Sequence, residues 1–241
     1  MLSSIAGSAG NAPTKEEQGK VMNESKIRPK GVEGELDPLQ IYTVDNVVGL
    51  DTMKLIPVKR WVDSMHAKKE VQTSSRFVAR RMHAHVENHE KLKLLRYMLL
   101  LIEFYNASKP ARFGRMLPRR EDLKKFLGDM PEAVLEGVKR KFTEGGVMSR
   151  QMSDSMLMYL CALAMMVDSA EVDMWDLKED LKLETKEMSV YFTEIGAKIA
   201  PLGEAERRKR GLEKAAAAQH KVAKLRAPLK YPQVSQGRAR K

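Results

Sequence analysis

Two short basic runs are the part of this sequence whose chemistry is easiest to name. Residues 139–141 read Lys-Arg-Lys, and residues 207–210 read Arg-Arg-Lys-Arg. Guanidinium and ammonium groups bind phosphate oxygens through charge-assisted hydrogen bonds. The chain has 241 residues and a formal net charge of +11, so a polyanion is the first partner to consider. The excess is uneven, because twelve Lys and Arg but only three acidic residues lie from residue 203 onward.

Residues that could support catalysis or bind a metal are few and poorly arranged. His83, His85 and His89 are close in sequence, but on a helix only His85 and His89 share a face, and they lack a third ligand. A solvated helix is therefore favoured over a metal site. The sequence has no Ser/His/Asp set and no glycine-rich loop after a predicted strand, so we predict no enzymatic activity, no metal and no cofactor.

The single cysteine and the length of the apolar runs indicate the cellular compartment of the protein. Cys161 lies in an apolar stretch, where a buried core residue is expected, and one cysteine excludes an intrachain disulfide. The apolar run at residues 156–167 is too short to span a bilayer, and the N-terminal residues lack the pattern of a secretory signal. We expect a soluble intracellular protein with no membrane partner.

A short pattern that occurs twice indicates a duplicated unit. Phe-Thr-Glu begins at Phe142 and again at Phe192, each time near a glycine and downstream of Asp-Leu-Lys. Each unit has the order helix, short helix, second short helix, and then a glycine turn or a pair of strands, which is typical of a winged helix. We therefore predict a tandem winged helix, mostly α with short β-hairpin wings. Phe142 and Phe192 are expected to be core residues at the end of each third helix.

The composition along the chain predicts five segments. A polar start rich in glycine and serine indicates disorder, and short apolar clusters then indicate helices too small for a core of their own. The segments are a disordered region (1–36), a helical linker (37–66), the first winged helix (67–150), the second winged helix (151–232) with an inserted basic loop (203–219), and a basic tail (233–241).

Two long apolar helices should join the two units. Residues 71–106 are predicted to be helical throughout, and the run at residues 156–167 ends a second helix that Ser153 or Ser155 can cap. Residues 94–104 and 156–167 are apolar on more than one face, which is typical of helices buried between two layers. We predict that these helices form a shared interface between the modules.

The DNA contacts are predicted from the elements that usually face DNA in a winged helix, which are the third helix and the wing. In the second unit the third helix carries Glu184, Glu187 and Glu194, so contacts there should come mainly from the wing. The predicted contacts are Arg119, Arg120, Lys124, Lys125, Lys139, Arg140, Lys141 and Arg150 in the first unit, and Lys186, Lys198, Arg207, Arg208, Lys209, Arg210, Lys221, Lys224 and Arg226 in the second.

The type of binding follows from what the third helices lack. Neither carries a set of Asn, Gln and Arg residues suited to reading bases, so binding should be salt-sensitive and largely independent of DNA sequence. An alternative interpretation is a protein-docking module without direct DNA binding, since winged helices often bind proteins and acidic faces suit that role. A continuous basic surface would favour DNA.

With these residues in place, the sequence resembles a known family, the larger subunit of the TFIIF-like heterodimer of RNA polymerase I, in its C-terminal TFIIE-related tandem winged helix. The resemblance is carried by IPVKRW, KLKLLRYMLLLIEFY, LPRREDLKKFLGDMPEAVLEGVKRKFTE, DMWDLKEDLKLETKEMSVYFTEIGAKI and HKVAKLRAPLKYP, which occur in this order within residues 37–232. The ordered set is more specific than any one segment.

The resemblance implies a non-catalytic nuclear and nucleolar protein that binds DNA near the polymerase cleft and supports initiation and elongation on ribosomal RNA genes. The implied partners are the RNA polymerase I core subunits, DNA, the smaller subunit of the heterodimer and an initiation factor. Two features differ from the family. Its N-terminal dimerisation barrel has no counterpart in this sequence, which leaves pairing with the smaller subunit open. Ala197 stands where members often carry cysteine, an exchange expected to be neutral.

Overall fold

The linker forms three short helices that pack against the modules. The structure is a computed structural model that describes residues 27–232, apart from the side chains of Lys124 and Phe126. Its first helices are α1 (Val44–Val47), α2 (Leu50–Leu55) and α3 (Lys59–His66). Trp61 and Met65 of α3 are buried, and the Tyr42 hydroxyl donates to the Ile195 carbonyl at 2.7 Å. The linker therefore contributes to the core and contacts the second module.

The first module is a helix followed by a helix-turn-helix and a small sheet. Its elements are α4 (Arg76–Met82), a short 3-10 turn (His83–His85), α5 (His89–Ala107), β1 (Lys109–Ala111), β2 (Gly114–Met116), α6 (Arg120–Leu127), α7 (Glu132–Phe142) and β3 (Val147–Ser149). The sheet is antiparallel in the order β1-β2-β3, with Gly114 opposite Ser149. A single bridge between Glu144 and Val147 closes the wing over Gly145 and Gly146.

The second module has the same succession of three helices, with one strand before its helix-turn-helix and a longer wing after it. Its elements are α8 (Arg150–Val167), β4 (Glu171–Asp173), α9 (Trp175–Leu181), α10 (Thr185–Glu194), β5 (Lys198–Pro201), α11 (Glu204–Lys209), α12 (Lys214–Gln219) and β6 (Lys221–Lys224). The antiparallel sheet has the order β4-β6-β5. Phe142 and Phe192 are fully buried. The predicted tandem winged helix, mostly α with short β wings, is confirmed.

The long helices α5 and α8 pack against each other at the centre of the molecule. Eleven residues of each helix are buried, so each is covered on more than one side. Lys91 at the start of α5 donates to the carbonyl of Val167 at the end of α8 at 2.8 Å, so the two helices run antiparallel. One continuous cluster of buried side chains includes both modules. The predicted shared interface is thus present.

Helix α4 links the first module to buried carboxylates of the second. Asp180 of α9 accepts hydrogen bonds from the Ser75 hydroxyl at 2.5 Å and from the backbone N–H groups of Arg76 and Phe77 at 2.8 and 2.9 Å. Arg81 of α4 donates to Asp168 at 2.6 Å. These bonds satisfy the free N–H groups at the start of α4 and fix its position.

Two local predictions about helices were wrong, and one pair of strands was not predicted. Residues 71–106 are not one helix, because Ser75 and Asn88 each accept a backbone N–H as caps and divide the segment into α4, the 3-10 turn and α5. Helix α8 begins at Arg150 and is capped by Ser149, since that hydroxyl accepts the Met152 N–H, whereas Ser155 is buried. The β1–β2 hairpin was not expected at all.

Two segment assignments also change within the described residues. Of the segment 1–36 predicted to be disordered, residues 1–26 lie outside the described part, but Arg28 is 8% exposed and donates to the Glu194 carbonyl at 3.2 Å. Its guanidinium stacks over Tyr231 near the other end of the described chain. The inserted basic loop 203–219 contains α11 and α12. The tail 233–241 lies outside the described residues.

We predict that the two modules unfold as one cooperative unit. Leu160 of α8 is fully buried in the shared core, so Leu160→Ala should lower the free energy of unfolding by about 2–5 kcal/mol and leave a single transition. Calorimetry and urea unfolding followed by circular dichroism measure both quantities. Two separate transitions in the wild-type protein would contradict a shared core.

Candidate nucleic-acid interface

A groove in the first module lies where the helix-turn-helix meets the wing. Gly145 and Gly146 both have positive φ angles, 57° and 80°, which give the tight turn of the wing. The Leu117 N–H donates to the Gly146 carbonyl at 3.0 Å and holds that turn beside the start of α6. The groove between them is lined by Arg120 of α6 and by Lys139 and Arg140 of α7. Three predicted contacts thus share one concave surface.

The cations in this groove differ in whether they already form ion pairs with other residues of the chain. Arg140 is exposed and has no hydrogen bond or ion pair to another described residue. Arg120 pairs with Glu132, and Lys139 pairs with Glu136 at 2.8 Å. The Glu132 and Glu136 side chains are 48% and 46% exposed, and surface pairs of this kind add about 0–1 kcal/mol. A phosphate can therefore compete for these cations.

Lys141 does not face this groove, although it follows Arg140 directly. Its Nζ donates to the Val47 carbonyl of the linker at 3.1 Å and lies 3.6 Å from the centroid of the Tyr159 ring on α8. Burial of the ammonium group lowers the pKa of Lys141 to about 8. The residue joins α7 to the linker and to α8, so we do not retain it as a proposed phosphate contact.

The other cations predicted for the first unit whose side chains are described do not line the groove. Arg119, the residue before α6, and Arg150, the first residue of α8, are exposed and unpaired among the described residues. Lys125 is exposed and makes a weak pair with Asp122 at 3.4 Å. Lys124 lies on α6, and its side chain is outside the described set. Arg119 and Arg150 are thus available to a polyanion.

The inserted segment of the second module is held by a buried carboxylate. Asp173 of β4 is 8% exposed and accepts hydrogen bonds from Arg210 at the end of α11 and from the Trp175 N–H at 3.0 Å. Its Oδ2 also lies 2.8 Å from Nδ1 of His220, whose ring stacks on Trp175. Arg210, predicted as a DNA contact, therefore anchors α11 to the sheet.

The remaining predicted cations of the second module fall into two groups. Arg207 and Arg208 both reach Glu204 at 3.5 Å, and Lys224 pairs with Glu171 at 2.6 Å across the sheet. The second group is exposed and has no partner among the described residues; it consists of Lys186, Lys198, Lys209, Lys221 and Arg226. Lys186 lies on the acidic helix α10, whereas the other four lie on or next to the wing and are free to contact phosphates.

The third helix of the second module presents a different surface. A groove of about 550 Å³ between α8 and α10 is lined by Asp154, Glu187, Val190 and Met158 among others. Val190 is 52% exposed, and the Tyr191 hydroxyl donates to Asp154 at 2.8 Å. The sequence indicated the acidic residues of this helix, but not the apolar floor, because that floor is assembled from two helices.

Clusters of metal ligands and helices that could span a membrane are both absent from the described part of the chain. Within residues 27–232 no three His, Cys, Asp or Glu side chains are grouped so that they could hold a metal ion. His85 lies in the 3-10 turn and His89 begins α5, so these two residues are not on one continuous helix. None of the helices in the same range is long and apolar enough to cross a membrane.

We predict that Asp173 fixes the basic insert to the sheet. In Asp173→Ala, Arg210 and His220 lose their shared acceptor, so trypsin should cut the segment 203–219 several-fold faster while the rest of the fold resists. Limited proteolysis with mass spectrometry measures the rate at each site. Glu204→Ala is the control, because it removes only an exposed partner. Equal cleavage rates in the two variants would rule out the anchor.

Comparison with known proteins places the chain among transcription proteins. A family model described as A49-like RNA polymerase I associated factor matches residues 1–232. The DNA-directed RNA polymerase I subunit rpa49 of Schizosaccharomyces pombe is 25% identical over 254 residues, which cover 100% of this chain and 58% of that protein. The subunit RPA49 of Saccharomyces cerevisiae is 22% identical over 254 residues, which cover 98% and 60%. The chain spans less than two thirds of the length of these relatives.

Proposed function

Because the chain belongs to the family of A49-like RNA polymerase I associated factors, we propose that it is a non-catalytic subunit of RNA polymerase I that holds DNA by phosphate contacts. Both relatives are named as subunits of that polymerase, which supports assembly with its core subunits. The resemblance seen in the sequence agrees with this family. The place of action would be the nucleus, and within it the nucleolus, where ribosomal RNA genes are transcribed.

The observation that carries the DNA-binding proposal is the groove between α6, α7 and the first wing. It brings Arg120, Lys139 and Arg140 together on the elements that contact DNA in other winged helices. Arg119 lies beside it at the start of α6. Guanidinium groups suit this role, since their planar donors match phosphate oxygens in pairs.

The proposed binding is independent of DNA sequence. Helix α7 contains no Asn or Gln, and its cations, the exposed Arg140 and the half-buried Lys139, stand near the C-terminal end of the helix. Contacts of this kind fix the position of a duplex without reading its bases. Such a subunit would support initiation and elongation by keeping DNA close to the enzyme whatever its sequence.

The inserted segment of the second wing provides the second proposed contact region. The Asp173 anchor holds α11 against the sheet and leaves Lys209 exposed beside it. Lys198 and Lys221, on the two paired strands of the same wing, are also exposed. Arg210 is excluded from this set, because its guanidinium is bound to Asp173.

We predict that Arg140 and Lys141 differ sharply in their effect on DNA affinity. Arg140→Ala should weaken duplex binding equally for unrelated sequences and reduce the slope of log affinity against log salt by about 0.9 for each phosphate that the variant no longer binds. Lys141→Ala, one position along α7, should leave that slope unchanged because its ammonium is bound to Val47. Fluorescence anisotropy across a salt series measures both.

Several results would separate this proposal from its alternatives. Equal slopes for wild type and Arg140→Ala would mean that the groove does not contact phosphate. A change confined to one DNA sequence would indicate base reading. A lower slope for Lys141→Ala would show that its ammonium leaves Val47 to contact DNA. Thermal unfolding of each variant excludes loss of fold as the cause.

The groove between α8 and α10 favours a second role, docking onto another protein. Its carboxylates Asp154 and Glu187 have no cationic partner among the described residues, and they border the apolar side chains of Val190 and Met158. A DNA phosphate is repelled by such a surface, whereas a segment with basic and apolar residues fits it. We propose that a polymerase core subunit or an initiation factor binds here. Pairing with the smaller heterodimer subunit stays a proposal from the family alone.

We predict that Val190→Lys weakens association with the polymerase and leaves DNA affinity intact. The added ammonium group would lie in the apolar floor and repel a basic partner. Co-purification with RNA polymerase I subunits from the native organism, scored beside duplex anisotropy, measures the two effects separately. Leu55→Lys, at an exposed apolar position of α2 outside both proposed surfaces, is the matched control. Unchanged co-purification of the Val190 variant would contradict docking at this groove.

A further inference from the structure

The tip of the β1–β2 hairpin carries an aromatic side chain that the fold leaves uncovered. Phe113 is 74% exposed and stands in the two-residue turn between the strands, next to Arg112. A large aromatic side chain usually stabilises the fold by being buried, and an exposed ring contributes no such stabilisation. Strand β2 has a counterpart in β4 of the second module, whereas β1 and the turn that carries Phe113 have none and are an addition to the simple winged-helix order.

The base of this hairpin is rigidly held, so the exposed tip is not a loose loop. Arg115 donates to the Ser108 hydroxyl at 2.7 Å and to the Ser108 and Tyr105 carbonyls at 2.8 and 3.1 Å. Gly114 has a φ of 142°, and a Cβ there would lie 2.2 Å from the Met148 carbonyl oxygen, so only glycine allows β2 to approach β3 this closely. These contacts present Phe113 at a fixed position.

One cation lies beside the exposed ring, and the hairpin sequence contains no acidic residue. The guanidinium of Arg112 lies 5.2 Å from the centroid of the Phe113 ring. The register pairs Gly114 with Ser149, which directly precedes the unpaired Arg150. Residues 108–117 contain no Asp or Glu. The tip therefore combines an open aromatic face with positive charge, which is the composition of surfaces that bind single-stranded nucleic acid.

We propose that the hairpin tip is a stacking site for an unpaired nucleobase, with Phe113 against the base and Arg112 and Arg150 on the adjoining phosphates. A base inside a duplex offers no free face, so this site would act only where strands are separated or distorted. The inference rests on the proposed DNA-binding function and specifies DNA with unpaired bases as the ligand of the hairpin tip. The groove at Arg140, by contrast, requires only phosphates.

The test compares three DNA probes by fluorescence anisotropy: a duplex, the same duplex with a short mismatched bubble, and oligothymidine. The wild-type chain should bind the bubble more tightly than the duplex. Phe113→Ala should lose about tenfold in affinity for the bubble and for oligothymidine, with duplex affinity unchanged. Phe113→Trp should retain binding, because it keeps a ring that can stack. Met116→Ala, at an exposed apolar residue on the same hairpin, is the control.

The outcomes distinguish this inference from the function on which it rests. If the wild-type protein binds no duplex, the phosphate-contact proposal fails. If it binds duplex normally and Phe113→Ala binds the bubble as tightly as wild type, the stacking site is wrong. If Phe113→Ala instead loses co-purification with the polymerase while all DNA affinities persist, the tip is a protein contact and the inference is overturned. Thermal unfolding of Phe113→Ala confirms that the fold is intact.

Discussion

The structure depends on the desolvated contact between α5 and α8. Neither helix has a polar side wide enough to be stable alone in water, because each is buried on more than one face. Burying one large aliphatic side chain stabilises the fold by about 1.5–3 kcal/mol, so the shared core outweighs any single surface interaction. The two modules are joined as one body by this contact. The basic groove of the first and the basic wing of the second therefore keep fixed positions.

Buried carboxylates decide which cations remain available. A buried carboxylate is costly unless it is paired, so Asp173 and Asp180 must recruit donors from the chain around them. The Arg210 guanidinium donates to Asp173, and the backbone N–H of Arg76 at the start of α4 donates to Asp180. The basic residues thus divide into those that hold the fold and those left for a partner, such as Arg140 and Lys209. Net charge alone does not show this division, although it indicates a polyanionic partner.

The sequence predicted what depends on local pattern and missed what depends on distant contacts. The duplicated unit and its wings followed from helical spacing, glycine positions and the repeated Phe142 and Phe192. The sequence also predicted that cations lie on the second and third helices of the first module, α6 and α7. The direction of the Lys141 side chain could not be predicted, because it is set by a hydrogen bond to the carbonyl of Val47, which lies 94 positions away. The exposed Phe113 was missed because the hairpin is fixed by Arg115 and by β3 rather than by its own turn residues.

The most direct test is hydrogen–deuterium exchange of the whole chain with and without duplex DNA. The central claim is that DNA is held by phosphate contacts at the α6–α7 groove and at the inserted wing segment, and that α10 faces another partner. We predict slower exchange in residues 117–120, 136–146 and 203–221 on DNA binding, with exchange in residues 185–194 unchanged. Protection of residues 185–194 together with unchanged exchange at the α6–α7 groove would contradict the account.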